Sequence, residues 1–310
     1  MARRLAWGAV GAVLLVALFA DCLAADRPLV LKLDGETYWL PNLVDYDELE
    51  HLSGFELRER MDEDDWAIWA PVRHGPTNVR SDGNLRVLAE PSGAHWLGTD
   101  DRGRDVLARL IHGARTTAVV AVGAAALALL LGALLGMLAA WRRGFADATV
   151  VGFCDVIGAV PALLVIVAVQ GLIGRGSLGL VIVLIALPRI ADIARIARGA
   201  LASALVEPYC DAARGIGVGE WQVVARHAMP QVRGPLRVAA GLTAVTAVLG
   251  EAALSFLGFG APSPTASWGE LLKQAHENGL MWWLAIAPGV AIAIVSAALG
   301  ALSQGRAAAD

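Results

Sequence analysis

Six long apolar runs alternate with polar stretches of very unequal length. The first runs from Leu5 to about Ala25. The second runs from about Thr116 to Ala140 and stops at Trp141-Arg142-Arg143-Gly144. The third covers about Thr149 to Leu172 with Asp155 and Pro161 inside it, and a Gly174–Ser177 turn leads to the fourth, Leu178 to about Ile196. The fifth spans about Leu236 to Leu257 around Glu251, and the sixth Trp282 to about Leu302. A bilayer core needs about 20 apolar residues per helix, so the pattern predicts an all-α integral membrane protein with six spans. Taken alone, the first run also fits a signal peptide, since Arg3 and Arg4 precede it and Ala24-Ala25 close it.

The polar stretches carry their own patterns. Residues 26–99 are too polar to span a membrane. Tyr38, Trp39, Trp66 and Trp69 could build a small core there, with short strands at 28–33 and 36–40. That makes a compact insertion, against the alternative of a flexible acidic loop. Residues 100–115 are amphipathic: Val106, Leu107, Leu110 and Ile111 share one helical face, with Arg102, Asp105 and Arg109 opposite. The expectation is an interfacial helix leading into the second span, with Arg102 and Asp105 either a solvated ion pair or an outer gate. Residues 207–230 read EPYCDAARGIGVGEWQVVARHAMP. Trp221, Val224, Ala225 and Ala228 follow helical spacing, Gly215, Gly217 and Gly219 argue for a bend, and Pro230 is expected to end the helix. Two short helices at an elbow would form a knob; the plainer alternative is a re-entry loop.

Composition agrees with the span pattern: the chain is 56% hydrophobic and 17% charged, with a mean hydropathy of +0.57. The net charge of −4 hides a segregation. Acidic residues crowd between Asp26 and Asp101, and arginines at Arg3–Arg4, Arg142–Arg143 and Arg189–Arg237. Arginine-rich loops stay inside, so six spans with both termini cytoplasmic put all three basic clusters on one side and residues 26–101 and 258–281 on the other. The split gives no reason to invoke nucleic acid. Cys22, Cys154 and Cys210 make no disulfide framework, and the six histidines show no metal-ligand spacing. No phosphate loop occurs, and Ser255 and Ser267 lack a neighbouring base, so neither ATP hydrolysis nor a membrane hydrolase is supported. Ionisable groups inside spans are expensive and mark functional sites by default. Asp155 and Glu251 qualify, with Pro161, Thr243 and Thr246 as further candidates for a translocation path.

Asp211-Ala212-Ala213, Gly217 and Met229-Pro230 resemble the coupling loop of ABC importer permeases. Asp211 stands where that family has Glu, and His227-Ala228-Met229-Pro230 where it has a hydrophobic-Pro ending. His95-Trp96-Leu97-Gly98-Thr99-Asp100-Asp101-Arg102-Gly103-Arg104-Asp105-Val106-Leu107 is similar to a signature of the dipeptide, oligopeptide and nickel permeases. Glu251–Gly258, Ser267-Trp268-Gly269 and Trp282-Trp283-Leu284-Ala285 are similar to further stretches of that family. The resemblance spans roughly residues 95–300 and implies that the first run is a retained helix. Asp26–Val30, Gly35–Trp39 and Trp66–Arg73 look like the microcin C and long-oligopeptide subclass. Leu302–Arg306 departs from the family's usual ending.

The resemblance implies the type I ABC importer permease architecture: a first transmembrane helix at 1–25, an extracytoplasmic insertion at 26–99, an interfacial helix at 100–115, and a five-helix core at 116–310 whose coupling loop is 198–233. It implies a non-enzymatic transport subunit of the bacterial inner membrane. The partners would be a second homologous permease, two ABC ATPase subunits or one fused tandem ATPase, an extracytoplasmic substrate-binding protein, and membrane lipid. ATP and Mg would bind the partner ATPases, and this chain would hold no cofactor or metal. Glu207, Asp211, Ala212, Ala213, Gly217, Trp221, His227, Met229 and Pro230 would form the ATPase-coupling loop. Trp39, Trp66, Trp69, Asp100, Arg102, Asp105 and Trp268 would serve the outer gate or the binding-protein contact. Peptides are the expected cargo, with nickel or another small solute as the neighbouring case. A self-sufficient secondary transporter would need internal repeats, and none is evident; a purely structural or sensing membrane protein is the remaining alternative.

Overall fold

The structure is a computed structural model that describes residues 2–49, 51–79, 86–173, 177–279 and 281–304. The Gly174–Gly176 part of the expected turn and the Gly305–Arg306 departure lie outside the described residues. The fold is mostly helical. Helix α1 is Ala2–Leu18 and α2 is Ala20–Leu23; after a polar segment come α4 (Val106–Arg142), α5 (Gly144–Ala159), α6 (Ala162–Ile173), α7 (Leu178–Leu205), α8 (Pro208–Gly215), α9 (Glu220–Gln222), α10 (Met229–Phe256), α11 (Trp268–Glu277) and α12 (Trp282–Gln304). Within the polar segment lie β1 (Val30–Leu33), β2 (Glu36–Trp39), α3 (Gly54–Arg60) and β3 (Trp66–Ile68).

Among the described residues, three helices are long and apolar enough to cross a membrane: Val106–Arg142, Glu220–Phe256 and Trp282–Gln304. A fourth crossing results if the pair α5 and α6 counts as one span. That pair departs from the single third span expected, being bent by 79°. The cause is Pro161, which donates no N–H and pushes the preceding Val160 into an extended conformation (φ −99°, ψ 128°). Helix α1 has only 17 residues, and α7 carries Arg189, Asp192, Arg195 and Arg198 in its second half. These charges meet partners: Arg189 donates to Asp192 at 2.9 Å and Arg195 to Asp155 at 3.1 Å, and Arg198 pairs with Asp147.

Two compact units divide the chain. One comprises Met1–Val10, Val119–Glu251 and Val295–Asp310; the other comprises Gly11–Ala118 and Ala252–Ile294. In the first, α4 and α7 approach closely. A Cβ on Gly132 would sit 2.7 Å from the Ile190 carbonyl oxygen, and one on Gly136 would strike the Ala194 carbonyl. Small residues four apart let membrane helices pack backbone to backbone, so this Gly132/Gly136 pair sets the contact.

In the second unit, the polar segment folds as a small module. Its antiparallel sheet has the order β2-β1-β3, with strands close to the 28–33 and 36–40 expected. The chain leaves and returns side by side: Ala25 N–H donates to the Val72 carbonyl (3.1 Å) and Val72 N–H to that of Leu23 (3.0 Å). Of the aromatic residues expected in the module's core, Tyr38 and Trp69 take part and Trp39 and Trp66 do not. Leu31, Leu33, Leu49 and Leu57 fill it, with Tyr38, Tyr46, Ala67 and Trp69 packed around them. Register explains the difference. Leu31 faces Tyr38 and Ala67 across the ladder, whereas Trp39 pairs with Val30 and Trp66 with Lys32, on the opposite face. Trp39 and Trp66 therefore point outward, 64% and 46% exposed.

Candidate functional site

The 206–230 elbow belongs to the first unit and is built almost entirely from local rules. Glu207 caps α8 in an extended conformation and Pro208 occupies its first turn, where a missing N–H costs nothing. The helix ends in a Schellman turn. Gly217 N–H donates to the Arg214 carbonyl (2.9 Å) and Val218 N–H to that of Ala213 (3.1 Å), while Gly217 takes φ +84°. A side chain at 217 would meet open space, so backbone conformation rather than crowding calls for glycine there.

The return arm starts with α9 and widens into a π-helix over Val223–Ala228, in which Met229 N–H donates to Val224 O, five residues back. This corrects two expectations. Pro230 does not end the helix: Glu220–Phe256 is continuous, because the wide turn before Pro230 moves the carbonyls its ring would strike. The inward face is Val223, Val224 and Ala228, and Trp221 is 60% exposed. The wider period brings 223 beside 228 and leaves 221 outside, where it rests on Trp141 with ring centroids 5.5 Å apart.

These residues close a core with Leu201, Leu205, Cys210, Ala213 and Val232. Each buried valine there contributes about 1.5–3 kcal/mol relative to exposure. Arg214 ties the two arms together: Nε donates to Glu220 Oε1 (2.8 Å), and Nη1 donates to Asp211 Oδ1 (2.7 Å) and to the Leu205 carbonyl (3.2 Å). The hydrogen bonds to Glu220 and then Asp211 raise the guanidinium pKa, while burial raises that of the Cys210 thiol. Trp141, Arg143, Leu205, Val206, Asp211, Arg214 and Glu220 line a cavity of about 520 Å³. Ala212 and Pro230 are exposed, and Met229 and His227 half-buried; His227 Nδ1 has no hydrogen-bond partner among the described residues. Ile216 at the bend is 83% exposed, and Val206 between α7 and α8 is 67% exposed.

The path candidates separate. Asp155 is exposed and held by Arg195, whereas Glu251 is fully buried. Pro161 marks the α5–α6 break. Thr243 and Thr246 donate their hydroxyls to Ala239 O (2.8 Å) and Thr243 O (2.9 Å) on their own helix.

In the second unit, the sequence placed Arg102, Asp105 and Arg109 on a solvated face, and the structure reverses this. Arg109 and Asp105 are buried. Helix α4 begins only at Val106, with Asp105 as its cap: Oδ1 accepts from Ala108 N–H (2.8 Å) and Oδ2 from His95 Nδ1 (2.9 Å). Arg109 donates to Glu270 Oε2 (2.5 Å) and to the Pro76 carbonyl (3.0 Å), and its Nε lies 3.4 Å from Asp100. Asp100 in turn accepts from Arg104 Nε (2.7 Å) and from the backbone N–H groups of Arg102 and Arg104. Arg102 and Asp105 form neither the gate pair nor the ion pair expected: Arg102 donates instead to Ser263 (3.1 Å). Amphipathic spacing misses this arrangement because a matched set of charges can be buried.

Trp268, expected at an outer contact, is buried. Its Nε1–H donates to Leu110 O (2.8 Å), and its indole lies where a Cβ on Gly113 would be. Trp69 lies under Arg58, whose guanidinium is 4.6 Å from the ring centroid; burial lowers the pKa of Arg58.

Comparison with known proteins identifies the architecture. Residues 132–307 match the family described as binding-protein-dependent transport system inner membrane component. A putative peptide transport system permease protein of Brucella suis is 36% identical over 245 residues, covering 77% of this chain and 80% of that one. A glutathione transport system permease protein of Pectobacterium atrosepticum is 33% identical, covering 67% of each. The Escherichia coli inner membrane ABC transporter permease protein YejE is 28% identical over 295 residues, covering 90% of this chain and 84% of that one. Among solved structures, inward-facing MetNI methionine ABC transporter superposes with a TM-score of 0.53 at 19% identity, covering 65% of this chain and 95% of that one; this shows a shared fold. The chain belongs to the binding-protein-dependent transport system inner membrane components, the permease subunits of ABC importers.

Proposed function

We propose that this chain is one of two permeases enclosing the path of an ATP-driven peptide importer, crossing the inner membrane six times with both termini in the cytoplasm. The observation that carries the mechanism is the 206–230 elbow. A Schellman turn and a packed apolar core fix its shape, while Ile216 and Trp221 stay exposed around its bend. Apolar side chains held outward on a rigid support suit insertion into a cleft on a partner. The partner is an ABC ATPase subunit, which supplies ATP and Mg; this chain supplies the lever. ATP-driven closure of two ATPases would draw two such elbows together and shift the path between inward and outward forms.

The peptide assignment rests on the names of the relatives. The YejE match leaves only about a tenth of the chain uncovered, so it must include most of residues 26–99. That supports a permease subclass carrying the insertion over one lacking it. The insertion's outward sheet face, with Trp39, Trp66 and Ile68 exposed, is the proposed contact for the binding protein. Asp155, Thr243, Thr246 and Glu251 remain the proposed path residues.

Co-purification tests the central claim. The wild-type chain should retain its ATPase partner, and Gly217→Asp should lose it while keeping the second permease. A variant that retains the ATPase at wild-type stoichiometry would remove the elbow from coupling.

A further inference from the structure

We propose that His74, His95 and Asp105 form a three-ligand site for one divalent transition-metal ion of the zinc type. The residues come from three separate stretches of the second unit, which is why their spacing along the chain gives no sign of a site. Each offers one ligand atom, these atoms all lie within 4.8 Å of one another, and all three residues are buried.

Two ligands are already oriented as metal ligands are. His74 Nε2–H donates to the Ala94 carbonyl (2.8 Å), which fixes the tautomer and leaves the lone pair on Nδ1. That Nδ1 is buried with no hydrogen-bond partner among the described residues, an unfavourable state for a polar atom in a side chain only 9% exposed. Asp105 Oδ1 is occupied by Ala108 N–H, which aims Oδ2 at the other two ligands. A ring N–H given to a backbone carbonyl and a carboxylate fixed through its second oxygen are the outer-shell supports that tune metal ligands. His95 completes the set by moving its proton from Nδ1 to Nε2, which exchanges its 2.9 Å hydrogen bond to Asp105 for coordination with no net proton change.

Two nitrogens and one carboxylate oxygen suit zinc with one position open. Ligands at zinc bond lengths stand ~3.3 Å apart, so loading must contract the cluster. It must also open the angle between the stacked His74 and His95 rings, now 26° with centroids 4.6 Å apart. Access is through a cavity of about 380 Å³ lined by His74 and Asp105. Magnesium and calcium take oxygen ligands in numbers this donor set lacks, and two imidazole nitrogens favour zinc, so neither should bind.

The test uses full-length protein carrying no histidine tag, purified in detergent, with zinc competed against a chromogenic chelator. Wild type and a His51→Ala control should bind one zinc per chain. His74→Ala should weaken this about a hundredfold, and excess magnesium should not compete. Zinc should also protect His74 of the wild type from diethylpyrocarbonate, a measurement independent of whether any variant folds. Equal zinc binding by His74→Ala, no stoichiometric binding by wild type, or unprotected His74 in the presence of zinc would each overturn the site.

Discussion

The start of α4 and the elbow each carry an ionic network, and the two are held in opposite ways. At the start of α4, the side chains of Asp100, Arg104 and Arg109 are 0–3% exposed, with Glu270 at 21%. At the elbow, Arg214, Glu220 and Asp211 are 31%, 60% and 70% exposed. Buried charges must stay matched, since stranding one costs far more than the pair contributes. The α4 network therefore fixes its surroundings. Exposed pairs are worth about 0–1 kcal/mol each, so Arg214 trims an elbow whose shape comes from Gly217 and the apolar core. One region is organised by charge, the other by backbone and packing.

The widest separation between them should come from Arg109. Arg109→Ala leaves Arg104 alone to balance Asp100 and Glu270, and should cost about 3 kcal/mol in thermal unfolding of the purified full-length chain. Arg214→Ala removes a comparable number of bonds yet should cost under about 1 kcal/mol, a loss that fades further in high salt. Equal melting of the two variants would break the comparison. Between these lies Gly217→Ala. Forcing alanine into the left-handed region costs roughly 1–2 kcal/mol, which the elbow should express as an ATPase affinity about tenfold weaker, with global melting nearly unchanged.

What the sequence made legible follows the same division. The elbow could be read in advance because glycine conformation and helix spacing are local: Gly217 sits at the bend, and the two arms are helices. Its errors came from a π-turn, which changes the period over Val223–Ala228 and carries the helix through Pro230. The strands at 30–33 and 36–39 were legible for the same reason, but the side of the sheet taken by Trp39 and Trp66 depends on pairing register. The α4 start was misread. An arginine with no visible partner reads as solvated, and Glu270 lies 161 positions from Arg109. The His95 and Asp105 motif was visible as a resemblance, but its physical content, a helix cap and a histidine clamp that His74 joins, needed the fold.

The smallest expected effect sharpens the account of the α4 network. Asp101 lies beside the matched charges without being one of them: Arg104 Nη2 is 3.9 Å away. Burial, reinforced by the charge of Asp100, raises its pKa. A carboxyl that binds its proton more tightly in the fold than in the unfolded chain favours folding in acid. Stability is then lost as pH rises from the unfolded value of about 3.9 through the raised folded one. Asp101→Asn removes the ionisation while keeping the shape. It should melt slightly higher than wild type at neutral pH, with the advantage disappearing in acid. A variant less stable at neutral pH would mean that Arg104 outweighs burial, and would make Asp101 a full member of the buried network.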